Sequence, residues 1–483
     1  MTFTSFYYLI FLTVVAVLCY VLKPKLRNIL LLAACYLFYG LFGIKYLPVL
    51  LATTLVGYGG GLIIQLAPAG RRKGWLTLAL LLDFGLLFVF KYFNFFAAAF
   101  TELLSAAGIP IVERGLSLLL PVGISFYVFQ TTGYLIDVYR KNIPAERNFI
   151  DFALFSSYFP GLVSGPIQRA GEMLPQYKRK SVFSYENIKS GSLQFIWGAF
   201  KKLVIADVLA VVVNTAYAKP AEFSGFQLFF AAICYSVQIY CDFSAYSDMA
   251  IGSARIMGIA LPQNFDCPYF AVSLRDFWKR WHISLTSWFR DYLYIPLGGN
   301  RRGKWRGYLN IIIVFLISGL WHGAAWGFIV WGGLHGVLQV VGKILEPYRN
   351  AFRRRLHIAD SNRGLKLFRH VFIFLLVTLL WIFFRADSLS DAVLIISKIF
   401  RSPLPLGGIS ALGLSRLRLF AAAAAVALLF VSDWAQQRHG LAKKLQASLL
   451  LRYVVFAALL MVILVFGSYG PGFDPMDFVY FKF

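Results

Sequence analysis

Apolar runs of about twenty residues, separated by short basic clusters, recur along the chain, as expected for helices that cross a bilayer. The first run, residues 5–22, ends at Lys23-Pro24-Lys25-Leu26-Arg27. Basic residues concentrate in cytoplasmic loops, so this loop is expected inside and Met1 outside. No charged leader or small-residue cleavage site precedes the run, which therefore reads as a retained first span. Runs 28–43 and 46–67 go out and come back to Arg71-Arg72-Lys73, and 74–100 goes out again. After a mildly polar external loop, 101–114, the run 115–138 returns to Tyr139-Arg140-Lys141.

Past residue 140 the alternation breaks. Residues 152–169 are apolar but interrupted by Pro160-Gly161 and Gly165-Pro166, and a proline inside a helix removes a hydrogen bond and clashes with the preceding turn. With basic residues at both ends, this stretch reads as a re-entrant pair of short helices, tolerated only where protein or a watery cavity covers it. Runs 191–218 and 225–247 form an out-and-back pair. Segments 371–384 and 390–400 lead outwards, Arg401 to Gly413 is an external loop, 418–432 returns to a basic loop, and 451–468 crosses out again. The expected fold is all-α and polytopic, with roughly eleven or twelve transmembrane helices plus re-entrant and interfacial pieces. No 20–50-residue repeat and no inverted half-to-half symmetry stands out, which speaks against a secondary transporter.

The composition agrees. Of 483 residues, 59% are hydrophobic and only 14% charged, well beyond the apolar share of soluble domains. The net charge of +25 would suit nucleic acid, but its clustering between apolar runs is the positive-inside pattern, and nucleic acid is not expected as a partner. Cys19, Cys35, Cys234, Cys241 and Cys267 are scattered and show no CxxC or Cys/His spacing; neither a disulfide framework nor a metal site is expected.

Two stretches carry candidate chemistry. From Ser273 to Tyr292, Arg275, Lys279, His282, Thr286 and Arg290 fall within roughly 80° on a helical wheel. Phe277, Trp281, Leu285, Trp288 and Tyr292 take the opposite face. Ser273 with Asp276 resembles a capping box, and Pro296 with Gly298-Gly299 ends the pattern. An amphipathic helix at the cytoplasmic interface is expected, its Trp-rich face towards the membrane. Two roles remain open for its basic face: anchoring to anionic lipid, or a wall for a phosphate-bearing substrate. The second stretch is Leu320 to Gly327, where His322 lies inside an apolar run flanked by basic clusters. This suggests a turn between two half-helices, deep in the membrane. An ionisable group at such depth is a functional candidate by default, and histidine suits a general base; a hydrogen-bonded packing histidine is the competing reading. Gly319, Gly323 and Gly327 would let a ligand or another backbone approach. His335 reads as structural, and Asp242 and Asp248 as interhelical hydrogen-bonding groups.

Four stretches together resemble the membrane-bound O-acyltransferase (MBOAT) family, in its bacterial alginate O-acetylation branch. The first is Leu120-Pro121-Val122-Gly123-Ile124-Ser125-Phe126-Tyr127, continuing to Tyr134–Arg140. The second is Tyr158-Phe159-Pro160-Gly161-Leu162-Val163-Ser164-Gly165-Pro166-Ile167. The third runs from Tyr240-Cys241-Asp242-Phe243-Ser244-Ala245-Tyr246-Ser247-Asp248 through Phe277-Trp278-Lys279-Arg280-Trp281-His282 to Gly298-Gly299-Asn300-Arg301-Arg302. The fourth is Leu320 to Gly327, extending to Trp331-Gly332-Gly333-Leu334-His335-Gly336. They span about residues 120–336 in family order, and the chain is expected to be one membrane domain, 1–483, with an interfacial region at 248–307 and an aromatic tail at 468–483.

The resemblance implies helices around a central tunnel, His322 as the essential histidine and His282 as a second catalytic one. It implies an acyl donor from the cytoplasm, acetyl-CoA in this branch, used as substrate with no further cofactor. It also implies an acetyl group handed to an exported polysaccharide such as alginate, through an extracellular or periplasmic SGNH-type partner and the exopolysaccharide machinery, in the bacterial inner membrane. Export of an acyl or D-alanyl group to another wall polymer is the alternative. Beside these, Arg275, Lys279 and Arg290 are expected to bind the donor, with His282 orienting it near the cytoplasmic mouth. The ending Phe478-Val479-Tyr480-Phe481-Lys482-Phe483 is similar to tails of this branch, and Tyr480 is a candidate nucleophile that carries the acyl group outwards; an interfacial aromatic belt is the simpler reading.

Overall fold

A computed structural model of the chain describes residues 1–109, 115–359, 361–402, 408–440, 448–469 and 478. Among them the regular structure is helical. Among the described residues seven helices are long and apolar enough to cross a membrane, including Ala69–Ala106, Gly225–Ile256, Trp326–Arg355 and Arg363–Arg385, in keeping with the all-α, polytopic fold that the apolar pattern implies. Contacts group the chain into two compact units, one comprising Met1–Phe195, Met249–Pro262 and Pro475–Phe483, the other Ile196–Asp248 and Gln263–Asp474.

In the first unit the expected broken pair is present as Phe149–Ser157 followed by the four-residue helix Phe159–Leu162. Pro160 sits at the start of that second piece, where its missing N–H costs nothing. Residues 151–168 are all buried in protein, the cover that irregular backbone needs in an apolar setting. Buried polar side chains staple the unit together. The Arg27 guanidinium donates to the carbonyls of Tyr177 and Arg179 and to the Ser181 hydroxyl, satisfying the end of the helix Ala170–Lys178. Asn28 Nδ2 donates to Asp151 Oδ1 at 2.7 Å, and Thr131 Oγ1 donates to Asp83 Oδ2 at 2.9 Å. Asp83 lies within the apolar C-terminal half of the helix Ala69–Leu87, and is held there by that partner.

In the second unit the helix Lys304–His322 turns through Gly323 to Ala325 into Trp326–Arg355. These are helices of 19 and 30 residues, not the two half-helices expected on either side of His322. A Cβ on Gly332 would lie 2.2 Å from the Phe315 carbonyl oxygen, and one on Gly319 2.2 Å from that of Phe328. Gly319 and Gly332 thus serve the approach of another backbone, as does Gly327 beside the Phe383 carbonyl, whereas a Cβ on Gly323 would meet the Phe328 ring.

The largest departure from the pattern concerns residues 273–292. Instead of one amphipathic helix there are two, Leu274–Arg280 and Ile283–Phe289, separated at His282. The cap is as expected, with Ser273 Oγ accepting from the Asp276 N–H at 3.1 Å. His282 then adopts a left-handed conformation, φ +45° and ψ +54°, which few non-glycine residues take and which ends the first helix. The break rotates the second half, so the two wheel faces do not continue across it. Phe277, Trp281 and Trp288 are buried within the protein rather than turned to lipid. The apolar stripe that resembles a membrane anchor is a core-packing stripe.

Candidate active site

His282 and His322 lie in the same unit, reach one another by different routes, and both are buried, 0% and 3% exposed. The helix Lys304–His322 delivers His322 as its last residue, where unpaired carbonyls leave a partial negative charge that attracts a cation. The kink between the two short helices delivers His282. The ring centroids are 6.5 Å apart, close enough for one hydroxyl to lie within reach of both imidazoles.

Aromatic rings enclose the pair. His322 packs edge-on against Trp321, Trp331 and Phe384, with centroids 5.0, 5.2 and 5.4 Å away. His282 packs edge-on against Phe243 at 4.6 Å. Trp331 stacks on Trp381 at 5.4 Å, extending the apolar wall. Such walls exclude water and strengthen each electrostatic interaction inside. Burial pushes the His282 imidazole down to about 3, so at neutral pH it is uncharged, with one ring nitrogen a donor and the other an acceptor.

A buried amide holds His282. Its Nδ1 lies 3.0 Å from Asn264 Oδ1. The same oxygen accepts from the Ser284 hydroxyl at 2.8 Å and from the Ser284 N–H at 3.3 Å. Asn264 Nδ2 donates to Ser247 Oγ at 3.1 Å on the helix Gly225–Ile256. A left-handed residue persists only where its surroundings over-determine it, and such strain gathers at functional sites. Asn264 lies in a polar loop where sequence pattern carries little signal, and it was not among the expected site residues.

The remaining expected residues divide. Arg275, Lys279 and Arg290 are exposed, Arg290 pairing with Asp291 at 2.8 Å, whereas His282 is buried. The shared basic face that was to join them to His282 does not form, because the left-handed break turns the histidine inwards. His335 is fully buried, and its Nδ1 accepts from Trp278 Nε1 at 3.2 Å; this is a packing position, as expected. Tyr480 lies outside the described residues.

A second polar cluster in the same unit went unforeseen. Lys202 Nζ contacts Asp242 at 2.7 Å and Asp207 at 2.8 Å. Lys201 Nζ contacts Asp248 and Ser244, both at 2.6 Å. Both lysines lie on the π-helical turn Lys201–Ala206, which presents two successive side chains to the helix Gly225–Ile256. Asp242 and Asp248 do bond between helices, as expected, with lysines as their partners. A Lys-Lys pair inside the apolar run 191–218 was the available signal.

The description of the MBOAT, membrane-bound O-acyltransferase family matches residues 140–385, a range that contains both histidines. The chain is 40% identical over 396 residues to a probable alginate O-acetylase of Azotobacter vinelandii, covering 81% of this chain and 76% of that protein. It is 37% identical over 424 residues to a peptidoglycan O-acetyltransferase of Helicobacter pylori, covering 82% and 77%. A teichoic acid D-alanyltransferase of Streptococcus thermophilus is 30% identical over 247 residues, covering 48% and 59%.

Proposed function

The chain belongs to the membrane-bound O-acyltransferase family and is an acyltransferase of the membrane, and from this premise we propose that it moves an acetyl group from cytoplasmic acetyl-CoA to a polysaccharide outside the cell. The observation that carries the reading is the buried histidine pair within the family-matched region. His322 is the general base. One of its ring nitrogens takes the proton of an acceptor hydroxyl as that oxygen attacks the thioester carbonyl carbon. The carbon–sulfur bond then breaks, and the departing thiolate takes the proton back from the imidazolium to give free CoA thiol. The carbonyl end of the helix Lys304–His322 favours the transient positive charge.

The acceptor class follows the relatives that cover most of the chain, whose names speak of alginate and peptidoglycan acetylation. An SGNH-type partner outside the membrane completes the transfer, with Tyr480 as the residue that carries the acetyl group to it. The protein sits in the inner membrane with its N-terminus outside. Export of a D-alanyl group is the second reading, favoured by the more distant teichoic acid relative.

The test is transfer in sealed vesicles of known orientation that contain the protein, its partner and candidate polymers. Labelled acetyl-CoA supplied to the cytoplasmic face is expected to label the polymer on the opposite face. Labelling from a D-alanyl carrier but not from acetyl-CoA would select the second reading, and uptake of intact donor without labelling would mark a transporter.

Arg275 and Lys279 are exposed on the short helix Leu274–Arg280, two residues before His282, and cations there suit the CoA phosphates. Arg275→Glu with Lys279→Glu is expected to raise the donor KM by about tenfold, the range of one to two lost charge-assisted contacts, with a smaller effect on kcat. A change confined to membrane association would return these residues to lipid anchoring.

A further inference from the structure

The hydrogen bonds around Asn264 determine which nitrogen of His282 carries the proton. Asn264 is 1% exposed, and its side-chain atom nearest His282 receives the backbone N–H of Ser284. A backbone N–H can only donate, so that atom is the amide oxygen and not the nitrogen. The amide orientation is therefore dictated by chemistry. The amide nitrogen is directed the other way, to Ser247 Oγ. An oxygen that accepts from Ser284 can meet His282 Nδ1 at 3.0 Å only if Nδ1 bears a hydrogen. In a neutral imidazole the other nitrogen, Nε2, is then the acceptor.

The main chain reinforces this arrangement. The Ile283 N–H donates to the Asn264 carbonyl at 2.9 Å, and the Asp266 N–H to the Arg280 carbonyl at 2.9 Å. The loop 264–266 and the turn 280–284 are thus clamped on both sides of the left-handed residue. Ring rotation would break the bond to Oδ1, and the rings of Phe243 and Trp321 pack edge-on around the imidazole.

We infer that Asn264 is a positioning residue of the reaction: it holds the His282 proton on Nδ1, so that His282 offers reactants an Nε2 that accepts and does not donate. This rests on the acyltransferase reading and changes the role expected for His282. An accepting nitrogen cannot donate to a thioester carbonyl or to a CoA phosphate. Its complement is a group with a proton to give, which in this reaction is the acceptor hydroxyl. His282 orients that hydroxyl, His322 deprotonates it, and the exposed cations serve the donor.

The test uses the full-length protein in lipid, labelled with 15N-histidine. The His282 resonances are assigned by their loss in His282→Gln. Solid-state NMR is expected to show a protonated Nδ1 and a bare Nε2, a result independent of any transfer activity and thus distinct from a failure of the acyltransferase reading. The reverse tautomer would overturn the inference, and it would do so even if no Asn264 variant folded. In Asn264→Leu that folds, kcat is expected to fall on the order of 10²-fold, as for a misplaced reacting group, while direct binding of acetyl-CoA stays unchanged. Ser284→Ala, which removes a different donor from the same oxygen, should keep near wild-type turnover. Wild-type turnover in Asn264→Leu, or an equal loss in Ser284→Ala, would show that the amide only holds the turn together.

Discussion

His322→Ala is expected to abolish acetyl transfer while the protein still inserts and folds. A positioned general base contributes typically about 10²–10⁴-fold to rate, and His322 is buried beside a second histidine. It ends the helix Lys304–His322, sits 3% exposed, and is enclosed by Trp321, Trp331 and Phe384. None of those contacts requires the imidazole to bear a proton, so the packing role can be separated from the chemical one. His322→Gln keeps much of the volume and hydrogen-bonding capacity but cannot act as a base at neutral pH. Both variants should therefore share the loss, and the glutamine protein should melt close to wild type. The measurements are turnover of labelled acetyl-CoA into polymer and thermal unfolding in detergent. Residual turnover above about a tenth of wild type in the glutamine protein is incompatible with the base role, given the usual size of that effect.

How much of this could be read beforehand follows from where each signal resides. The apolar runs and their basic flanks report burial in lipid directly, so the all-helical, polytopic fold was legible. The candidacy of His322 came from the same kind of signal, because a lone titratable group in an uncharged run is conspicuous, and the residue is buried. The broken pair at 152–169 was legible for a similar reason, since Pro160 cannot continue a helix. The path of residues 273–292 was not. A helical wheel assumes one continuous helix, and nothing in a histidine announces a φ of +45°; that angle is imposed by bonds from a loop eighteen residues upstream in the chain. Once the wheel is interrupted, the basic and aromatic faces lose their shared meaning, and the tryptophans that looked like a lipid anchor are core. Asn264 escaped for a related reason: its role exists only through contacts to Ser247, His282 and Ser284, none of which local pattern encodes. The lysine pair at 201–202 was legible in principle. It interrupts an apolar run, and two carboxylates that could pair with it, Asp242 and Asp248, were already in view.

That pair carries the second large effect. Lys202 is 2% exposed, and its ammonium lies between Asp242, 3% exposed, and Asp207, 11% exposed. Replacing it with Met keeps the length and volume of the side chain but leaves two buried carboxylates without their cation. Removing one partner of a buried ion pair typically costs about 3–5 kcal/mol, because the remaining charge is stranded in a low-dielectric setting. Membrane domains are only marginally stable, as soluble ones are, so a loss of that size should sharply reduce the folded fraction. Lys202→Met is therefore expected to accumulate poorly and to melt well below wild type. Adding Asp242→Asn to Lys202→Met removes one stranded charge and should recover a substantial part of the loss, as should Asp207→Asn. A double-mutant cycle on melting temperature and folded yield measures the coupling directly. The site should register the same damage, since Asp242 adjoins Phe243, which packs on His282, and Ser247 on that helix holds Asn264. Turnover per folded molecule should fall in Lys202→Met and rise again in the double variants. If Lys202→Met folded and melted like wild type, the Lys202 ion pairs would contribute little to stability, and the register of the helix Gly225–Ile256 would have to be set by its other contacts, the Lys201 pair among them.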